Sequence, residues 1–278
     1  MNRREALLAG GAVALTPLAA RAQTDRLALN GVLRQGGFAM GRTWPGALIF
    51  VDGEALTAAS PSGLFVIGFD RDAAGSVEVR ATSGGRTERR LLDIAPGTFP
   101  STRISGLPPS TVEPTDPALL ARIREEAGLK AEGFASRATS DDFADGFAWP
   151  LDSYRITSQW GSQRVLNGTP ARPHYGIDLA APAGSPIRAP APGVVSLARE
   201  GLHFEGGLVL LDHGQGLITA YLHQSRIEVV QGQRVLRGDV LGRVGATGRA
   251  TGPHLCWRMR WRDRNMDPSL MVGAAVPA

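Results

Sequence analysis

The chain has 278 residues, 43% hydrophobic and 20% charged, which is enough for two compact domains. Its formal charge of +4 comes almost entirely from arginine, with Lys130 the only lysine, and no basic run alternates with aromatic residues, so we expect no nucleic-acid partner. The single cysteine, Cys256, excludes an internal disulfide framework.

The first residues have the layout of an export signal. A basic pair, Arg3-Arg4, precedes an apolar run and the small-residue pattern Ala20-Arg21-Ala22, which together predict a signal peptide over residues 1–22. The run is too short for a membrane span, and we expect no integral membrane segment after cleavage. Adjacent arginines are also typical of the twin-arginine route, so either that route or Sec fits. A periplasmic or secreted protein follows.

Residues 23–107 alternate short strand-like runs with glycine, proline and aspartate turns. The runs at 47–51, 64–69 and 76–81 are examples, and their spacing predicts a small antiparallel β-sandwich. This range contains no histidine and no catalytic cluster. We interpret it as a targeting or spacing module.

Residues 108–147 change character and predict a helical linker. Asp116 is placed to cap a helix that has Pro117 at its first position. Apolar residues then recur at helical spacing: Leu119, Leu120, Ile123 and Ala127.

Residues 148–272 are again β-rich and rich in glycine. The runs at 193–198, 207–212 and 217–221 read as strands between tight turns, and none combines helical length with helical period. This region is therefore predicted to be an antiparallel barrel-like or sandwich domain, and the whole chain to be mainly all-β.

Candidate metal ligands occur in two segments of this region. His174 and Asp178 form an H-x-x-x-D pair, and His254 and Cys256 form an H-x-C pair. Nitrogen, oxygen and sulfur ligands suit zinc. Residues two apart on a strand point to the same face, so His254 and Cys256 should enter the same cleft. His213, in Asp-His-Gly, is interpreted as a turn or supporting residue rather than a ligand.

These motifs stand in an ordered series that resembles the lysostaphin/LytM-type zinc metallopeptidase domain. The resemblance covers essentially all of 148–272 and implies its antiparallel β fold, similar to a duplicated hybrid motif. The preceding sandwich and linker are similar to the leader regions of periplasmic members. The series is Ser158-Gln159-Trp160-Gly161, His174-x-x-x-Asp178, 189–195, Asp212-His213-Gly214, Tyr221-x-His223 and 245–254.

The resemblance implies a role for each matched residue. His174 and Asp178 correspond to the first two zinc ligands, and Cys256 stands at the third, where the family has histidine. His223 and His254 correspond to catalytic histidines that orient the attacking water and stabilise the oxyanion. The implied reaction is hydrolysis of peptide cross-links in bacterial peptidoglycan, with the peptide stems as substrate.

Cys256 leaves two readings open. A thiolate is a sound zinc ligand, but its sulfur lies one bond from Cβ. It could replace a histidine bound through Nδ1, whereas it would fall short of one bound through Nε2. In the other reading Cys256 is a small buried residue left after loss of the ligand. The chain is then either a zinc endopeptidase or an inactive LytM-type protein that binds cell wall or regulates an amidase. A redox- or metal-responsive variant is a third hypothesis.

Overall fold

The computed structural model describes residues 26–277, so the predicted signal peptide, residues 1–22, lies outside the described residues. The described chain is mostly β, and its sheets are largely antiparallel, as predicted. Within this part of the chain, no helix combines the length and the apolar character needed to cross a membrane.

Two small antiparallel sheets form the N-terminal region. One has the strand order β1-β2-β5 and the other β4-β3-β6-β7, and their inner faces enclose an apolar core that includes Phe38, Ile49 and Phe65. The predicted β-sandwich and its strands are confirmed, with ends shifted by a few residues. The strands are β1 Ala28–Val32, β2 Phe38–Arg42, β3 Leu48–Val51, β4 Glu54–Ala58, β5 Leu64–Gly68, β6 Ser76–Ser83 and β7 Arg86–Asp93.

The connecting region contains strand β8, Ser101–Ile104, and helices α1, Pro109–Val112, and α2, Pro117–Phe134. The Asp116 carboxylate accepts a hydrogen bond from the backbone N–H of Leu119 at 2.9 Å. This is the N-cap predicted from the sequence, and it satisfies one of the donors that a helix start leaves unpaired.

The C-terminal region is built on one large antiparallel sheet with the order β18-β14-β15-β16-β20-β12-β9, in which β21 also pairs with β20. Two smaller sheets join it, β13-β19-β17 and β11-β10-β8, and a 3₁₀ helix, Pro268–Met271, follows the last strand. The strands are β9 Arg155–Ser158, β10 Gln163–Leu166, β11 Thr169–Pro170, β12 Ile177–Ala180, β13 Pro186–Arg188, β14 Gly193–Leu202, β15 Gly206–Asp212, β16 Leu217–Gln224, β17 Arg226–Ile227, β18 Arg234–Val235, β19 Val240–Arg243, β20 His254–Trp261 and β21 Arg264–Met266.

The two β regions share contacts and a continuous apolar core. Arg71 Nε donates to the carbonyl of Gly161 at 2.8 Å, and the Asp70 carboxylate accepts from the backbone N–H of Asn265 at 2.9 Å. Strand β8 leaves the sandwich and runs parallel to β10, so this connecting strand belongs to a sheet of the C-terminal region. The domain bounds 23–107, 108–147 and 148–272 stay predictions.

Candidate metal centre

Three adjacent strands, β16, β20 and β12, carry the centre. In the antiparallel register, Cys256 lies directly opposite Asp178 on β12 and opposite Leu222 on β16. Directly opposed residues place their Cβ atoms about 4.5–5.5 Å apart, which brings short side chains into reach of one another. The sheet register alone therefore brings the carboxylate and the sulfur together across 78 residues of sequence.

His174 completes a buried group with Asp178 and Cys256. Its Nε2 lies 3.1 Å from Asp178 Oδ1 and 3.2 Å from Cys256 Sγ. One ligand atom from each residue lies within 4.8 Å of the other two. Asp178 Oδ1 is buried, and its only close contact with a donor among the described residues, to His174 Nε2, does not have the geometry of a hydrogen bond. An unpaired buried carboxylate oxygen beside imidazole nitrogen and sulfur is a donor set that fits zinc.

The orientation of His174 is set by its surroundings. Its backbone N–H donates to the carbonyl of Ser162, and its carbonyl accepts from the N–H of Gly161, both at 2.8 Å. The Ser158 hydroxyl lies 3.1 Å from Nδ1. A partner on Nδ1 leaves Nε2 available to bind a metal ion, which is how proteins commonly fix a metal-binding imidazole.

Asp178 is held ionised in this buried position. Burial by itself would raise its carboxyl pKa, but His174 and Arg164 outweigh that effect and hold the pKa of Asp178 well below its usual range. Arg164 Nη2 donates to Asp178 Oδ2 at 2.9 Å. The two carboxylate oxygens are thus differentiated, with Oδ2 bound to Arg164 and Oδ1 facing the group.

His223 and His254 lie beside the ligand group with their rings 4.7 Å apart between centroids. Each Nδ1 donates to a backbone carbonyl at 2.8 Å, of Thr247 for His223 and of Gly252 for His254. Because a carbonyl only accepts, each neutral ring carries its proton on Nδ1 and presents Nε2 as an acceptor. Burial lowers the pKa of His223 to about 4 and also lowers that of His254, so both are neutral near pH 7.

The backbone of His223 is itself unusual, with a φ of +67° near the end of β16. A non-glycine residue in the left-handed region is uncommon and persists only where its surroundings enforce it. Here the N–H donates to the carbonyl of Glu205 and the ring is fixed by Thr247. This turn directs the imidazole toward Asp178.

Cys256 has two neighbours that shape its position. Arg258 Nε donates to Sγ at 3.4 Å, and although burial would lower the pKa of Arg258, the sulfur raises it, so the guanidinium stays charged. Gly176 leaves the space that the sulfur occupies, because a Cβ there would lie 2.8 Å from Sγ. Sγ therefore lies within 4.8 Å of a possible ligand atom of both His174 and Asp178.

The other histidines lie outside this group. His213 is fully buried, with Nδ1 donating to the carbonyl of Pro192 at 2.6 Å and Nε2 lying 2.7 Å from Thr219 Oγ1. It supports the sheet, as interpreted from the sequence. His203 is half-buried, with Nε2 3.2 Å from the carbonyl of Ser110 in the linker.

Sequence reasoning missed the arginines of the centre. Arg258 stands two residues after Cys256 on a strand, so period-two alternation could have placed it on the same face. Arg164 gave no such signal, because it lies on the separate hairpin β10–β11 and reaches Asp178 only through the fold. Ser158 lies in the Ser158-Gln159-Trp160-Gly161 motif, but the sequence does not indicate its contact with His174.

The C-terminal region is similar to known peptidases. Residues 172–268 match Peptidase family M23. Peptidoglycan DD-endopeptidase ShyA of Vibrio cholerae serotype O1 is 38% identical over 135 residues, which are 46% of this chain and 31% of that protein. DD-carboxypeptidase/endopeptidase Mpg of Neisseria meningitidis serogroup B is 40% identical over 129 residues, 46% of this chain and 29% of that protein. The match spans less than a third of either relative.

A solved structure extends the similarity beyond the metal centre. The crystal structure of a candidate peptidase M23 from Pseudomonas aeruginosa is 29% identical, covers 87% of this chain and 96% of that chain, and has a TM-score of 0.68. An alignment that covers 87% of this chain includes the N-terminal sandwich as well as the large C-terminal sheet. Residues 172–268 therefore form a domain of peptidase family M23, the lysostaphin/LytM type of metallopeptidase, and Cys256 belongs to its candidate metal group.

Proposed function

We propose that this chain is a zinc metalloendopeptidase that hydrolyses peptide cross-links of bacterial peptidoglycan outside the cytoplasm. The observation that carries the proposal is the buried group of His174, Asp178 and Cys256, whose Asp178 Oδ1 has no hydrogen-bond partner among residues 26–277. Two neutral imidazoles flank that group. The relatives ShyA and Mpg, named for peptidoglycan and DD-peptidase activities, support the substrate class.

His174 Nε2, Asp178 Oδ1 and Cys256 Sγ would hold the zinc ion. A zinc ion there would polarise the scissile carbonyl and lower the pKa of a water molecule toward neutrality. Three protein ligands leave a fourth position open, as in catalytic zinc sites. Thiolate donates more charge than imidazole, so this zinc would be a weaker Lewis acid than one held by two histidines and a carboxylate.

His223 and His254 would carry out the proton transfers. Since Nε2 of both His223 and His254 is an acceptor, one ring can take a proton from the attacking water as a general base. The resulting imidazolium is a donor, which can stabilise the developing oxyanion and then protonate the leaving nitrogen. His254 Nε2 lies 3.8 Å from Asp178 Oδ1, so its charged form would have a carboxylate nearby.

Zinc content tests the ligand assignment. We expect about one zinc ion per chain in the purified protein, loss of zinc in Cys256→Ser with the fold retained, and zinc kept in Cys256→His. Met259→Leu is the matched control, because Met259 is buried on the same strand and the swap conserves volume. Zinc retained at full affinity in Cys256→Ser would contradict a thiolate ligand.

Cleavage of cross-linked muropeptides tests the reaction. We expect the zinc-loaded wild type to cleave, and His174→Ala to be inactive because it loses a ligand. If the wild type neither holds zinc nor cleaves, and activity appears only in Cys256→His, the proposal that this chain is an active peptidase would be contradicted. In that outcome, binding to cell wall and stimulation of an amidase become the function to measure.

Export by a signal peptide is the localisation we propose, with residues 1–22 removed. Cell fractionation of the full chain should find the mature protein in the periplasm or the medium. Replacing both Arg3 and Arg4 with lysine separates the routes, because the twin-arginine route needs the arginine pair and Sec needs only positive charge. Precursor that accumulates inside the cell in this variant would assign the twin-arginine route.

A further inference from the structure

Arg164 has more hydrogen-bonding capacity than its surroundings use. Its side chain is 17% exposed, and its one hydrogen bond to a described residue goes from Nη2 to Asp178 Oδ2. Its Nε is buried without a partner among residues 26–277. A guanidinium offers five N–H donors in a planar fork, and leaving buried donors unpaired is unfavourable. The unused donors indicate a missing acceptor.

That acceptor position opens onto a small pocket beside the metal centre. The pocket has a volume of about 60 Å³, and its polar lining includes Arg164, Asp178, His223, Arg249 and His254. Ile104, at the end of β8, and Leu107, three residues later, are among the residues that line it on the apolar side. A water-sized group needs about 10–15 Å³, so the pocket admits on the order of four such groups. This volume admits a carboxylate, and a larger pocket of about 360 Å³ that shares Arg164, Asp178 and His254 lies beside it with room for the rest of the residue.

Positive charge accumulates around the pocket. Burial lowers the pKa of Arg249, and the nearby positive charges of Arg164 and Arg258 lower it further. Of the acidic groups nearby, Asp178 belongs to the ligand group, and Glu205 Oε1 is paired with Lys130 at 2.7 Å. An anionic substrate group would offset this excess charge in a partly buried site, where electrostatic interactions are stronger than in water.

The position of the histidines indicates which part of the substrate enters. Hydrolysis adds water across the peptide bond: the water oxygen joins the carbonyl carbon, the C–N bond breaks, and the leaving nitrogen takes a proton. His223 and His254 both line the pocket, and one of them has to deliver that proton. The residue in the pocket is therefore the one that carries the leaving nitrogen.

We propose that Arg164 binds a free carboxylate on the carbon that bears the leaving nitrogen, and so selects peptide bonds whose leaving residue has an unblocked carboxyl group on that carbon. The inference rests on the proposed peptidase function and adds a specificity determinant to it. Arginine suits this role because its fork can hold a carboxylate through two parallel hydrogen bonds. The pairing with Asp178 Oδ2 fixes the guanidinium at the pocket.

Paired substrates test the assignment. The zinc-loaded protein is assayed with N-acetyl-L-Lys-D-Ala-D-Ala and with its C-terminal carboxamide, and the ratio of the two kcat/KM values is measured. A charge-assisted hydrogen bond predicts a preference of about 10–100-fold for the free carboxylate. In Arg164→Gln the ratio should fall to about 1. Arg155→Gln, at an exposed position on the edge strand β9, should keep the wild-type ratio. A wild-type ratio within twofold of 1 would overturn the proposal.

Arg164→Gln also removes the partner of Asp178, so that variant could lose zinc or fail to fold. A second variant keeps the proposal testable in that case. Arg164→Lys keeps the charge and loses the planar fork, so we expect the ratio to fall below that of the wild type. Zinc content and thermal unfolding are measured for each variant. An unchanged ratio in zinc-loaded Arg164→Lys would assign the preference to charge alone and contradict two-point binding by the fork.

Binding without turnover separates the two proposals. Calorimetry with N-acetyl-D-alanine and with N-acetyl-D-alaninamide should give at least about tenfold tighter binding of the carboxylate, lost in Arg164→Gln. A protein that shows this binding but cleaves neither peptide would contradict the peptidase and retain the carboxylate site. A protein that cleaves both peptides equally and binds both ligands equally would contradict the carboxylate site and retain the peptidase.

Discussion

The N-terminal sandwich and the C-terminal sheet fill their interiors differently. Over residues 26–100 the buried side chains are apolar except for Ser60, whereas the C-terminal region buries Ser162, His174, Asp178, Asp212, His213, Thr219, His223 and Gln224. Burying a polar group is unfavourable unless it is paired, so the C-terminal sheet needs a hydrogen-bond network that the sandwich does not. One region is packed for stability, and the other accepts polar burial that chemistry requires.

Substitution of a buried histidine in the C-terminal region should have the largest effect, a loss of activity. His223→Asn keeps a residue that tolerates the left-handed backbone and removes the imidazole. We expect kcat/KM on cross-linked muropeptides to fall about 10²–10⁴-fold, the usual contribution of a general acid–base group, with zinc content unchanged. His203→Gln, outside the ligand group, is the control. Equal losses in both variants would break the assignment.

Replacing a large buried apolar residue of the sandwich with a small one should lower stability and leave the metal centre intact. Phe65 is fully buried, and Phe65→Ala is expected to lower the free energy of unfolding by about 3–5 kcal/mol through lost burial and a cavity. Denaturant unfolding measures this loss. Zinc bound per folded chain should not change. Zinc loss at equal folded fraction would show that the two interiors are coupled rather than separate.

The buried His213 makes the stability of the zinc-free protein depend on pH. Burial lowers the pKa of His213 to about 4, below 6.5 in the unfolded chain, so between those values the unfolded state binds more protons. Stability should therefore fall as the pH drops from 6.5 to 4, by about 3 kcal/mol from this residue. His213→Gln should remove that part of the slope. An unchanged slope would assign it to other groups, such as His223.

The smallest effect is expected on the outer face of the sandwich. Leu91 on β7 is 71% exposed, so Leu91→Ser removes almost no buried area. We expect the free energy of unfolding to stay within about 0.5 kcal/mol of the wild type and activity to be unchanged. Denaturant unfolding beside Phe65→Ala gives the matched comparison. A larger destabilisation would indicate that this face packs against something in solution.

Local patterns predicted much of the architecture. The start of α2 follows from Asp116 and Pro117, because a capping carboxylate and a proline at the first position act within one turn. Strands such as β5 and β15 follow from short β-branched or aliphatic runs between turn residues. These signals are local in the chain, so they can be read without knowing the fold.

What the sequence by itself determined was the fold class and the candidate ligands, because the motif residues His174, Asp178 and Cys256 stand within short segments of defined order. Only the tertiary structure decided that the Cys256 sulfur reaches the group, since this depends on the register of β12 against β20 and on the space left by Gly176. The same holds for Arg164, which lies on β10 between β8 and β11 and reaches Asp178 only in the folded chain. Long-range pairing sets these distances, and a linear pattern does not encode them.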